Sequence, residues 1–188
     1  MFTDIKDYVV QFDNCIPENI CKETISYINN INFQTHYFYE PSTKSYKKES
    51  GDNEFSVSWD NIPNKEVLND YFENAILDYQ NKFNFTWFKG YNAFSTIRFN
   101  KYDQNTKMAK HIDHIHTLFD GDQKGIPILT ILGVLNDDYE GGEFILFDKH
   151  EIKFKTGDIL VFPSTFVYPH KVEQIKKGVR YSMISWMW

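Results

Sequence analysis

Cysteine is scarce in this 188-residue chain: Cys15 and Cys21 are the only two. Two thiols make no disulfide framework, and C-x-x-C zinc spacing is absent, so the composition fits a reducing compartment, the cytoplasm. Nothing around either thiol marks a reactive, low-pKa cysteine. Excess positive charge is lacking too. The net charge of −6 and a sequence pI near 5.5 argue against a broad nucleic-acid-binding face. Arginine is rarer still, with only Arg98 and Arg180 among 20 basic residues. No apolar run approaches a membrane span, and the opening MFTDIKDYVVQFDN lacks the basic and apolar regions of a signal peptide. Repeats and low-complexity tracts are absent as well. These absences leave a soluble intracellular domain with neither nucleic acid nor membrane as partner.

What is present is aromatic. Phe, Tyr and Trp make up 18% of the chain, with 41% apolar and 24% charged residues overall, a globular composition that favours a sheet-rich core. The length suits a single domain, 1–188, in which 1–85 supports a core over 86–188. Residues 17–30 open with Pro17 at a first-turn position and carry Ile20, Thr24, Tyr27 and Ile28 at helical spacing. A second helix is expected over 64–82, with Val67, Leu68, Tyr71, Phe72, Ala75, Ile76 and Tyr79 as its apolar stripe. The polar stretch from Glu40 to Asn53 reads as a long exposed loop. After residue 86, eight short apolar or alternating runs follow one another between Gly, Asn, Asp and Pro. Such spacing predicts a sandwich or jelly roll, with the helices on one outer face of a sheet: α+β, mainly β.

One pair in these runs is suggestive of a metal site. His111 and Asp113 alternate along a predicted strand and so share a face. Alone this means little, since chance supplies roughly 0.5 such pairs in a chain of this composition. His170 changes the weight. It sits on another predicted strand, and a turn at Lys176, Lys177 and Gly178 leads from it to Arg180, a hairpin that would hold His and Arg beside one cavity. Two histidines and a carboxylate on one face of a metal leave three positions open, the arrangement of the non-haem Fe(II) oxygenases.

From about Asn92 to Trp188 the order of pieces then resembles the Fe(II)/2-oxoglutarate-dependent oxygenases, and is most similar to their prolyl 4-hydroxylase group. The pieces are the strand ending at Tyr102, the His111/Asp113 pair, TILGVLN from Thr130 to Asn136, DDYEGG from Asp137, GDILVFP from Gly157, His170, and GVRY ending at Tyr181, with Trp186 beyond. The resemblance implies a double-stranded β-helix with the N-terminal helices on its major sheet. It makes His111, Asp113 and His170 the iron ligands and Arg180 the partner of the distal carboxylate of 2-oxoglutarate. Tyr102, Thr130 and Leu132 would adjoin the cosubstrate, with Val172 and Ile184 as further walls. Some relatives carry a tyrosine where this chain has Val134, so the contact that tyrosine makes must come from Thr130, Tyr102 or water, or it is absent.

The implied reaction uses Fe(II), 2-oxoglutarate and O2, with ascorbate as an accessory reductant. It couples decarboxylation to succinate and CO2 with hydroxylation of a substrate C–H, by resemblance C4 of a prolyl residue in a peptide or protein. Tyr91, Phe94, Tyr139, Tyr168 and Trp186 are candidate linings of the substrate mouth, and 40–53 and 117–126 are candidate flaps. A free amino acid or other small molecule is the alternative substrate. A non-catalytic jelly-roll binding module and a cupin-type metalloenzyme using another ion are the competing classes. By strand parity His114 and His116 point away from the ligand pair. Arg98, Asp137, Asp138, Glu140 and Glu143 read as structural or solvated, and His36 and His150 have no partner pattern.

Overall fold

The computed structural model describes residues 4–40, 42–43, 45–84, 93–113 and 127–188. The N-terminal part contributes β1 (Val10–Phe12), α1 (Glu18–Ile28), β2 (Gln34–Thr35), β3 (Phe38–Glu40), β4 (Ser45–Lys47), β5 (Ser56–Ser58) and α2 (Lys65–Phe83). Next come β6 (Arg98–Tyr102), β7 (Met108–His111), β8 (Leu129–Val134), β9 (Glu140–Gly141) and β10 (Phe144–Leu146). The last elements are β11 (His150–Ile152), β12 (Ile159–Pro163), β13 (His170–Val172), β14 (Ile175–Lys177) and β15 (Arg180–Met187).

Two antiparallel sheets face each other. The larger has the order β1-β12-β8-β15-β6-β5-β2 and the smaller β11-β10-β13-β7. The two-residue period of a strand decides what each side chain of the large sheet meets. Ile131, Ile159, Val161 and Met183 point outward, onto Leu68, Phe72 and Ile76 of α2 and Cys21 and Ile28 of α1. Their neighbours Leu132, Leu160, Phe162, Ile184 and Trp186 point inward, onto Phe144, Leu146, Val172 and Met108 of the small sheet and its surroundings. Because both faces are covered, every residue of β8 and β15 is buried. This is the double-stranded β-helix expected from the sequence, with the helices on the outer face of its major sheet.

Both helices fall near their expected places. In α1 the buried line is Cys21, Thr24 and Ile28, while Pro17 stands at the N-cap rather than inside the first turn. Asn64, just before α2, donates from Nδ2 to Thr24 Oγ1 at 2.9 Å and ties the helices together. Val67 lies off the stripe and is 41% exposed. Among the described residues, no helix is long and apolar enough to cross a membrane.

Two expectations need correction. The stretch 40–53 is not a structureless loop: β3 and β4 pair as an antiparallel hairpin with Phe38 opposite Lys47, and a 3-10 turn follows at Gly51–Asn53. Its outward strand Ser45–Lys47 is wholly exposed, so it has no apolar alternation to betray it. Nor do His170 and Arg180 share a hairpin. β13 belongs to the small sheet and β15 to the large one, with β14 between them pairing instead with β9. The two residues meet across the sandwich rather than along one ribbon.

The Gly157-Asp158 pair turns out to be a structural tie. Gly157, at φ +89, donates its N–H to Val134 O and accepts one from Ile16 N, both at 2.9 Å. Asp158 accepts from Asn14 N at 3.0 Å, Gln11 Nε2 at 2.9 Å and Lys155 N at 2.8 Å. Together they fasten the segment around β1 to the large sheet. A Cβ on Gly157 would stand 2.2 Å from Ile16 O, a backbone atom with little room to move. Gly157→Ala is therefore expected to lower the unfolding free energy by about 2 kcal/mol or more, from the left-handed backbone and the clash together. Urea denaturation of parent and variant measures it, and an unchanged midpoint would refute the tie.

Candidate active site

β7 and β13 are neighbours in the small sheet, and their register places His170 directly opposite His111. The rings lie 4.3 Å apart between centroids. β7 ends at His111, so Asp113 stands two residues beyond the strand and not, as strand parity had it, within it. Its carboxylate nonetheless turns toward both rings. Oδ1 is 3.5 Å from His111 Nε2 and Oδ2 is 3.7 Å from His170 Nε2. One ligand atom from each of the three lies within 4.8 Å of the others, the single such cluster among the described residues.

The surrounding bonds fix the chemistry of each group. His111 Nδ1 lies 3.0 Å from Ala109 O, and His170 Nδ1 lies 3.2 Å from Tyr168 O. A carbonyl can only accept, so the proton sits on Nδ1 and the Nε2 lone pair is left facing the gap, as in metal-binding histidines. Phe144 and Phe162 enclose His170, and burial pushes its imidazole down to about 4, keeping it neutral at pH 7. Burial also opposes the Asp113 charge, but His170, His111 and the Thr130 hydroxyl outweigh it and hold the carboxyl below the usual range. Thr130 Oγ1 donates to Asp113 Oδ2 at 2.7 Å and is itself 2.8 Å from Ser164 Oγ. Two imidazoles with Nε2 facing the gap and one oriented carboxylate form a donor set suited to a divalent first-row metal.

Arg180 projects into the same cavity from the large sheet, together with His111, His170, Tyr102, Leu132, Val172 and Ile184. It is 1% exposed. Nε donates to the Tyr139 hydroxyl at 3.1 Å, Nη1 to Ser182 Oγ at 3.4 Å, and the guanidinium lies 5.0 Å from the Tyr102 ring centroid. Nη2 is buried without a hydrogen-bond partner, and no carboxylate among the described residues pairs with this charge. A buried guanidinium left in that state is costly unless an anion completes it. Gly142 makes room for the arrangement: a Cβ there would stand 3.4 Å from Arg180 Cδ and 2.4 Å from Ile175 Cδ1. Burial pushes the Tyr102 phenol up to about 12, so it remains a donor, here toward Met108 Sδ at 3.5 Å.

Other expected residues lie elsewhere. Thr130 is bonded to Asp113 and Ser164 rather than lining the cavity. Tyr139 supports Arg180 from behind, Tyr168 bonds Ile5 O at 3.0 Å, and Phe94 packs in the helix-side core. Val134 is fully buried outside the cavity, and the phenol beside Arg180 is that of Tyr139. Asp137 and Glu140 face solvent, bonded to Thr156 and Lys177. His36 is buried between Phe38 and Phe55, 3.7 Å from Glu54, while His150 lies in β11. Tyr91, His114, His116 and the stretch 117–126 fall outside the described residues. Sequence reasoning missed Arg98, which is buried and lines the cavity. Its parity with Asn100 and Tyr102 was the available signal.

A family model described as the 2OG-Fe(II) oxygenase superfamily matches residues 97–188, the stretch that supplies the ligand cluster and the cavity lining. Residues 97–188 are similar to that superfamily. Among curated relatives, a PKHD-type hydroxylase of Aliarcobacter butzleri is 38% identical over 97 residues, 48% of this chain and 41% of that protein. One from Stenotrophomonas maltophilia is 34% identical over 95 residues, with the same coverage. The chain thus spans about two fifths of the length of the curated relatives it matches. The fold extends further. A Pseudomonas putida prolyl-4-hydroxylase superposes with a TM-score of 0.68 at 17% identity, covering 96% of this chain and 91% of that one. A prolyl hydroxylase from Trichoplax adhaerens, solved with a hypoxia inducible factor peptide, gives 0.70 at 18% identity over 96% and 83%.

Proposed function

We propose that this chain is an Fe(II)- and 2-oxoglutarate-dependent dioxygenase that hydroxylates a prolyl residue of a peptide or protein at C4. The observation that carries this reading is the cluster of three metal-ligand atoms within 4.8 Å of one another, whose two histidines share a cavity with a buried guanidinium that has an unpartnered Nη2. On this reading His111 Nε2, His170 Nε2 and the Asp113 carboxylate hold the iron. Bound there, the metal supplies dioxygen activation, coupled to oxidative decarboxylation of the 2-oxo acid. Arg180 receives the distal carboxylate, with its planar fork aimed by Tyr139, Ser182 and the Tyr102 ring. Thr130 holds Asp113 in place, and Leu132, Val172 and Ile184 keep water away from the reacting centre. The prolyl substrate is supported by the printed names of the fold neighbours, one of them solved with a peptide.

The whole of 1–188 acts as one oxygenase domain, with 1–85 as support for 86–188. The cytoplasm suits it, since both cysteines are free and burial pushes each thiol up to about 11, leaving them unreactive. Incubation with 2-oxoglutarate, Fe(II), ascorbate and proline-containing peptide libraries tests the reading. Succinate formation requiring both iron and 2-oxoglutarate, with one oxygen added at proline by mass spectrometry, is expected. Activity that needs neither would overturn the oxygenase reading and favour a cupin-type enzyme. Succinate formed with no prolyl product would overturn the prolyl substrate alone.

A further inference from the structure

We infer that Arg98 is the substrate-recognition residue, and that the substrate presents a carboxylate to it; this rests on the oxygenase reading above. Arg98 is 8% exposed, an unusual depth for a charge. Its Nε donates to Asn100 Oδ1 at 2.9 Å, and its guanidinium lies 4.9 Å from the Trp186 ring centroid and 5.9 Å from that of Phe55. These contacts fix the plane of the fork, and among the described residues neither Nη group has a hydrogen-bond acceptor. Among the described residues no carboxylate lies within ion-pair distance of it. A guanidinium so placed is stable and useful when an anion arrives.

Its position says which anion. Arg98 borders the inner cavity that holds His111, His170 and Arg180. It also borders an open cleft lined by His36, Tyr37, Tyr46, Val57 and Trp59, whose three large aromatic rings are exposed. Arg98 therefore stands at the throat between solvent and metal site. Arg180 lies opposite Tyr102 in the strand register, and four residues of β6 separate Tyr102 from Arg98. That sets their backbones about 13 Å apart along the sheet, and of the two arginines only Arg98 also lines the outer cleft. One anion belongs to the cosubstrate at Arg180. The other belongs to the molecule entering through the aromatic cleft, and two free Nη groups match a carboxylate bidentately.

The carboxylate has two sources, a free amino acid or a carboxyl group of a peptide, and the experiment separates them. Free proline and other free amino acids, peptides ending in proline, and internal-proline peptides flanked by Asp or Glu are each offered to the protein with Fe(II) and 2-oxoglutarate. Each is paired with its amide, or with Asn or Gln in place of the acid. Acid forms are expected to be hydroxylated at least about tenfold more efficiently than their neutral partners. Arg98→Met should collapse that ratio toward unity and Arg98→Lys should retain part of it. The ratio is internal to each variant and does not depend on how much of it folds. Equal use of acids and neutral partners, or an unchanged ratio in Arg98→Met, overturns the inference. So does a rise in the KM for 2-oxoglutarate with the ratio intact, which would assign Arg98 to the cosubstrate. A parent that decarboxylates 2-oxoglutarate but accepts no acid overturns it and leaves the oxygenase reading standing. No decarboxylation at all removes that reading, and the inference with it.

Discussion

Asp113→Ala is expected to abolish turnover while leaving the fold intact. The carboxylate is the only anionic member of the cluster, so its loss removes both a ligand and the charge that balances the metal. Residues that merely orient a ligand are worth about 10–100-fold, and loss of a ligand itself should cost at least the upper end of that range. Stability should change little. Thr130 Oγ1 keeps its contact with Ser164 Oγ, and both histidines keep their backbone carbonyls. Initial rates after anaerobic iron loading, alongside thermal unfolding, separate the two effects. Equal rates for parent and variant would remove Asp113 from the ligand set.

The second large effect belongs to Arg180. Arg180→Ala should raise the 2-oxoglutarate concentration needed for half-maximal rate by about two to three decades, because truncating one side of a buried charge pair typically costs about 3–5 kcal/mol. Arg180→Lys keeps the charge but loses the fork that Tyr139 and Ser182 aim, so its effect should fall between parent and Ala. A 2-oxoglutarate titration of all three proteins decides the matter. An unchanged titration for Arg180→Ala would mean that another group holds the distal carboxylate.

Much of this was legible in the sequence because function fixes residue type and spacing together. His111, Asp113, His170 and Arg180 are named by their order; the structure brings His111, His170 and Arg180 to one cavity and clusters Asp113 with the two histidines. The jelly roll followed from short alternating runs, since a strand packed on one sheet face must repeat every second residue. The illegible parts have physical causes. The hairpin β3–β4 leaves Ser45–Lys47 exposed, so no hydrophobic period marks it, and the ribbon β9–β14 is only two or three residues wide. The sheet in which β13 lies could not be told from β15 by local pattern, because either pairing buries the same faces. Thr130 shares its face with Leu132, and only in the folded chain is its hydroxyl seen to be taken up by Asp113. A lone arginine in a strand normally snorkels to solvent, which is why Arg98 reads as structural or solvated until the depth of its throat is seen.

The two histidines ride on the small sheet, whereas Arg180 rides on the large one, and between them lie mostly side chains. Apolar packing resists separation of two layers well but resists sliding poorly, since it has no preferred direction. A ligand gripped at one end by β7 and β13 and at the other by β15 would act as a cross-brace against that sliding. Metal and 2-oxoglutarate together should then slow amide exchange along the facing strands more than the sum of their separate effects, making the reactants themselves part of the protein's stiffness.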